Sequence, residues 1–151
     1  MFLSNRKKFD SLTEQEIVAL AISSEEDDAR IYRSFAAHLR PEYEASALMF
    51  DAMALEEDTH RQSLINLHVN RFGTDIPLLR REHVAGFYNR TPIWLAKALS
   101  LAAIRSEATS MEKTAQKFYE KAYTKVQDAA TRKLLGDLAA AEAGHVDSAE
   151  E

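Results

Sequence analysis

Apolar residues recur along this chain at three- and four-residue intervals, in four long runs separated by polar or proline-containing segments. The first run, Ile17, Leu20, Ala21, Ser24, Asp28, Ile31, Phe35 and Leu39, stays on one face of a helix. Thr13 with Glu16 has the composition of a capping box, so the spacing predicts a helix over 14–39, stopped by Arg40-Pro41. Pro41 suits the first turn of a second helix, whose Ala45, Leu48, Met49, Ala52, Met53, Leu64, Ile65 and Leu67 continue to Phe72-Gly73. Residues 73–91, with Pro77 and Gly86, read as a long connection with room for a short helix. Thr91-Pro92 is the expected cap of a third helix, which carries Trp94, Leu95, Ala98, Leu99, Ala102, Ala103, Met111, Ala115, Phe118 and Ala122 to about Lys125. A short connection around 126–131 leads to a fourth helix, with Leu134, Leu135, Leu138, Ala139 and Ala141 inward. Short links within each pair and a long link between the pairs describe an all-α antiparallel four-helix bundle with one long crossover connection.

Composition narrows the picture without redirecting it. At 151 residues the chain fits one domain spanning 1–151, and four Gly against three Pro favour helix over sheet. A net charge of -5 with no basic stripe gives no reason to expect nucleic acid. The absence of cysteine excludes disulfides and any thiolate-held zinc or iron-sulfur centre. The longest apolar stretch, 93–104, contains Lys97 and is too short to span a bilayer, and the basic opening segment is not a secretory signal. The ending Asp147-Ser148-Ala149-Glu150-Glu151 carries no helix-closing residue, which leads us to expect the front part of a longer protein.

The candidate chemistry lies in a repeated spacing. Glu57-Asp58-Thr59-His60 and Glu142-Ala143-Gly144-His145 are both Glu-x-x-His, and residues three apart share one face of a helix. Each copy has an upstream partner: Ala21-Ile22-Ser23-Ser24-Glu25 and Ala108-Thr109-Ser110-Met111-Glu112 both read Ala-x-Ser-x-Glu, followed seven residues after the Glu by Tyr32 and Tyr119. Ala54 and Ala139 stand three residues before the Glu of each Glu-x-x-His copy. A duplicated helical hairpin accounts for all of these matches together, whereas chance would supply a pair of isolated motifs and nothing around them.

A glutamate on an inward helix face costs several kcal/mol, of order 5, unless it is paired or holds an ion. Glu25, Glu57, His60, Glu112, Glu142 and His145 are therefore the candidate ligands, and four carboxylates with two imidazoles suit a pair of iron ions, with manganese as the alternative. The four alanines would leave room around the ions, and Tyr32 and Tyr119 serve equally well as hydrogen-bond donors to the carboxylates or as core residues. His38, His68 and His83 lack a carboxylate three residues before them and read as surface or packing residues. Glu26, Asp27, Asp28, Glu56 and Asp58 read mainly as a solvated acidic face, with cation steering as the alternative.

These residues resemble the ferritin-like superfamily, in particular its rubrerythrin (erythrin) branch. The opening Asn5-Arg6-Lys7-Lys8-Phe9-Asp10, then Leu12-Thr13-Glu14-Gln15-Glu16 and the segment from Ser23 through Arg33, is similar to the N-terminal domain of the membrane-bound ferritin A family. In that family the erythrin domain precedes a membrane domain resembling vacuolar iron transporters, and the whole exports iron across the bacterial inner membrane. The resemblance implies Glu57 and Glu142 as bridging ligands, Glu25 and Glu112 as terminal ones, and His60 and His145 on one ion each. It implies a domain on the cytoplasmic face that captures ferrous iron, with ferroxidase activity an open question, and a soluble rubrerythrin-like peroxidase as the alternative. Two departures bear on that alternative. Rubrerythrins carry a further Glu where this chain has Ala115, and a Cys-ligated iron domain for which it has no cysteine. A homodimer is expected from the long apolar third helix and from symmetry preferences.

Overall fold

The structure, a computed structural model, describes residues 6–85 and 100–150, with side chains in the last helix described as far as His145. Its elements are β1 (Lys7–Lys8), α1 (Glu14–Leu39), α2 (Glu44–Phe72), β2 (Val84–Ala85), α3 (Leu101–Lys125) and α4 (Ala129–Glu150), with 3-10 turns at Phe9–Ser11 and Arg81–His83. They fall into two compact units, residues 1–33 with 51–90 and residues 34–50 with 91–151, taken in turn below.

In the first unit, α1 begins where the capping box predicts. Glu16 N–H donates to Thr13 Oγ1 at 3.1 Å and Thr13 N–H donates to Glu16 Oε1 at 3.0 Å, which satisfies two of the amides that a helix start leaves bare. Lys7 is ion-paired with the same carboxylate, and that bond, with the amide of Thr13, holds the Glu16 carboxyl below its usual range. Contacts along α1 and α2 run in opposite order: Arg71 pairs with Glu14 at 2.6 Å, Arg61 with Glu26 at 4.0 Å, and Arg33 with Asp58. The two helices are therefore antiparallel. α2 ends at Gly73, whose φ of 91° is open to glycine at no steric cost. His68, fully buried, closes that end: Nδ1–H donates to the Gly73 carbonyl at 2.9 Å, leaving Nε2 to accept from Gln15 at 3.4 Å.

The connection after α2 is fastened to α1. Ser23 Oγ–H donates to the Leu79 carbonyl at 2.7 Å, Arg80 bonds Asp27, and Arg81 bonds Asp28 at 2.8 Å. β2 then pairs in parallel with β1, Lys7 opposite Val84 and Lys8 opposite Ala85, and Arg6 donates to the Val84 carbonyl at 3.3 Å. This short strand pair was not expected from the sequence. The anticipated short helix in the connection is the 3-10 turn at Arg81–His83.

In the second unit, α3 and α4 are antiparallel. Glu112 in mid-α3 meets His145 late in α4, while Arg132 early in α4 lies 4.5 Å over the ring of Tyr123 late in α3 and donates to its carbonyl. Phe35 and Phe50 pack edge to face at 5.6 Å, and Arg105 reaches Ser46 at 3.5 Å.

Several expected boundaries move. α2 starts at Glu44, because Glu42 and Tyr43 still hydrogen-bond back to the Leu39 carbonyl, so Pro41 sits in the turn. α3 starts at Leu101, where Ser100 Oγ accepts from the Ala103 amide. The expected cap at Thr91-Pro92 and the positions Trp94, Leu95, Ala98 and Leu99 lie outside the described residues. α4 starts at Ala129, earlier than expected, since Asp128 accepts from the Thr131 amide at 3.0 Å. Every inward position expected in α1 is buried, but Ala45, Leu48, Ala52 and Ala102 are exposed. In α2 the buried row is Ala47, Phe50, Met53, Ala54, Glu57, His60, Leu64 and His68.

Candidate metal centre

α1 and α2 bring one set of candidate ligands together. Glu25 comes from α1, and Glu57 and His60 from successive positions on one face of α2. Each offers a ligand atom, and these lie within 4.8 Å of one another. His60 turns Nδ1 toward Glu25 Oε2, 3.6 Å away. Glu25 and Glu57 are only 2% and 1% exposed, and Ala21 and Ala54 beside them are buried as well.

α3 and α4 repeat the arrangement. Glu112, Glu142 and His145 likewise offer ligand atoms within 4.8 Å of one another. His145 again turns Nδ1 inward, 3.0 Å from Glu112 Oε2 and 3.5 Å from Glu142 Oε2. Glu112 and Glu142 are buried, as are Ala108 and Ala115; the latter occupies the place, one turn after Glu112, where a further carboxylate would have been available. All six residues singled out in the sequence fall in these two triads. Tyr32 and Tyr119 are buried too, the latter edge-on to Phe118 at 5.2 Å.

Burying two carboxylates around one imidazole is unfavourable unless positive charge sits among them. In the second triad a proton supplies it. Burial alone would lower the His145 pKa, but the hydrogen bonds and charges of Glu112 and Glu142 outweigh it and raise it to about 11. An imidazolium here stands where a metal cation would fit, and a donor set of two carboxylates and one imidazole suits iron or manganese. Because the folded-state pKa lies above the unfolded value, this contribution to stability is fully present below about pH 6.5. It is lost progressively as pH rises toward 11. The metal-free protein should accordingly melt lower at pH 9.5 than at pH 7. Thermal unfolding followed by circular dichroism tests this, and an equal decline in His145→Gln would assign the effect elsewhere.

The acidic residues near the first triad are not a uniform solvated face. Asp27 and Asp28 are buried and bound by Arg80 and Arg81, and Asp27 is the main reason the Arg80 pKa is raised. Glu26 meets Arg30 at 3.2 Å, and Asp58 meets Arg33. Glu56, 46% exposed at its side chain, lies 3.7 Å from His60 Nε2. The sequence signal for the buried pairs was the Arg80-Arg81 dipeptide, which nothing local distinguished from an ordinary polar loop. His38 and His83 are exposed and His68 is a packing residue, as expected.

The Rubrerythrin family model matches residues 16–151. The chain belongs to the Rubrerythrin family. Its fold is the ferritin-like four-helix bundle, and the solved structure of a hypothetical protein from Pyrococcus furiosus (Pfu-1136390-001) supports this. That structure superposes with a TM-score of 0.77 at 24% identity, covering 94% of this chain and 89% of the other. No curated protein sequence matches the chain. As a Rubrerythrin-family domain it carries, in each unit, a carboxylate and histidine cluster able to hold a metal ion. Among the described residues no helix is long and apolar enough to cross a membrane.

Proposed function

We propose that each triad takes one iron ion, two per chain, and that this Rubrerythrin-family domain captures ferrous iron for a bacterial inner-membrane iron exporter. The observation that carries the reading is the duplication itself: two buried Glu/Glu/His triads of the same donor chemistry, each with its histidine Nδ1 turned to a carboxylate. In this reading Glu25, Glu57 and His60 would hold one ion and Glu112, Glu142 and His145 the other, with the ligand roles that the family resemblance implies. Manganese fits the same donors, but oxygen-rich sites with one imidazole per ion also accommodate both oxidation states of iron.

Bound iron would supply one-electron redox chemistry. The chain's own part is to concentrate negative charge where the cation settles, release the His145 proton as it binds, and keep bulk water from the buried carboxylates. The exporter assignment draws on the resemblance of the opening segment to the membrane-bound ferritin A family and places this domain on the cytoplasmic face, attached to a transporter domain. Self-association as a homodimer belongs to the same reading. Leu48 and Leu55, 56% and 64% exposed one heptad apart on α2, offer an apolar surface for it.

Anaerobic titration with ferrous iron should saturate at two ions per chain and raise the melting temperature, and failure to bind would remove the proposal. Adding oxygen or peroxide to the loaded domain then separates the chemistries: a single oxidation event supports capture for export, whereas rapid repeated peroxide turnover would replace it with a peroxidase role.

A further inference from the structure

We infer that residues 79–85 are a gate on the metal position of the first unit, a strap latched along α1 beside Glu25 whose release sets how fast an ion enters and leaves. The inference rests on the reading of Glu25, Glu57 and His60 as ligands. Three successive residues of the strap are bonded to α1, and their partners stand on both sides of Glu25 along the helix. The Leu79 carbonyl accepts from Ser23 Oγ–H at 2.7 Å, Arg80 pairs with Asp27, and Arg81 donates to Asp28 Oδ1 at 2.8 Å. Asp28 follows Glu25 by three residues, so the two share a helix face, and both are buried. The Arg81 side chain, 11% exposed, therefore reaches the edge of the ligand-bearing face of α1.

The strap has a fixed end, a pivot and a latch. Downstream, Val84 is fully buried, paired in the β1–β2 ladder, and its carbonyl accepts from Arg6 at 3.3 Å. Upstream, the chain leaves α2 through Gly73, at a φ of 91°, and passes Leu78, which is 84% exposed. Between the two, Leu79 is the one buried apolar side chain of residues 78–83, and the rest of the hold on α1 is the Ser23 bond and the arginine-carboxylate pairs.

Polar bonds at the rim of a site exchange for water one at a time, whereas an apolar element opens only together with its core. Glu25 and Glu57 are 2% and 1% exposed, so an ion arriving from solvent reaches them only when something moves. The strap lies against the turn that carries Glu25, and lifting it breaks no hydrogen bond within either helix.

Arg80→Ala gives the test, because Asp27 keeps Arg30 and Arg81 at 3.6 Å and the fold is spared. Amide exchange in residues 79–85 should quicken about tenfold, the equilibrium equivalent of one charge-assisted bond. Stopped-flow binding of cobalt(II), an air-stable stand-in for ferrous iron, should then show one ion entering faster by a similar factor. Challenge with a chelator should show it leaving correspondingly faster, with affinity and the two-ion stoichiometry unchanged, and Arg80→Lys should lie between. Wild-type rates despite the quicker amide exchange would overturn the inference, since the strap would open without admitting the ion. A lowered affinity at unchanged entry rate would overturn it as well, because Arg80 would then act on the ligands and not on access. Unaltered amide exchange even in Ser23→Ala/Arg80→Ala would show that this latch does not hold the strap, with the same consequence. No cobalt bound by the wild-type protein would instead remove the ligand reading, and this inference with it.

Discussion

Replacing Glu25 and Glu112 together with alanine should abolish most iron binding while leaving the helical fold intact. Each triad then keeps one carboxylate and one imidazole, and the negative charge that attracts a divalent cation to each half is cut by half. Affinity of oxygen-donor sites follows ligand charge count over many decades, so a loss of at least about 100-fold per ion is expected. The fold should survive because both side chains are buried charges, 2% and 0% exposed, whose removal lifts a desolvation cost, and because His145 keeps Glu142 at 3.5 Å as its counter-charge. The variant also frees His145 from its nearest partner, since Glu112 is the closer of its two carboxylates at 3.0 Å. The raised pKa of His145 should therefore fall toward its ordinary value, and the alkaline loss of stability in the metal-free protein should shrink. Iron content after gel filtration measures the first effect, and wild-type stoichiometry in the double variant would sink the six-residue assignment. The single replacements divide the outcome further: Glu25→Ala should spare the His145 titration, and Glu112→Ala should not.

Much of this architecture was legible because it is local. The bounds of α1 follow from a capping box and an apolar row that nothing interrupts, and both are written within one helix. α2 was harder for a physical reason connected with the metal centre. Its buried face carries Glu57, His60 and His68, polar residues at inward positions, while Ala45, Leu48, Ala52 and Leu55 occupy the outward face. Hydrophobic periodicity alone then points to the wrong side of the helix. Glu25 and Glu112 were found by comparing the two halves of the sequence rather than by hydropathy, since a duplicated pattern exposes a buried charge that periodicity treats as noise. What stayed hidden is the pairing of Asp27 and Asp28 with Arg80 and Arg81. It joins residues 53 apart in the chain through a segment with no regular period, so neither spacing nor composition could have matched the partners.

That hidden pairing carries the second large effect. Arg81→Ala should destabilise the protein by about 3 kcal/mol, lowering its melting temperature by roughly 6–12 °C for a chain of this size. Arg81 and Asp28 meet at 2.8 Å with side chains 11% and 7% exposed, so the partner left behind is a carboxylate with little access to water. Asp27 would keep Arg80 and, at 3.6 Å, Arg30; the loss therefore concentrates on Asp28. Pairing Arg81→Leu with Asp28→Asn should recover much of the stability, because the cost arises from a buried carboxylate that has lost the guanidinium 2.8 Å from it. The same latch stands one helical turn beyond Glu25 on α1 and holds the segment that Ser23 anchors through Leu79. Loosening it should also speed amide exchange in residues 79–85 while the capped start of α1 stays protected. A single-variant loss below about 0.5 kcal/mol, the range of ordinary surface substitutions, would show that this ion pair behaves as an exposed one and that the connection is held by its backbone contacts.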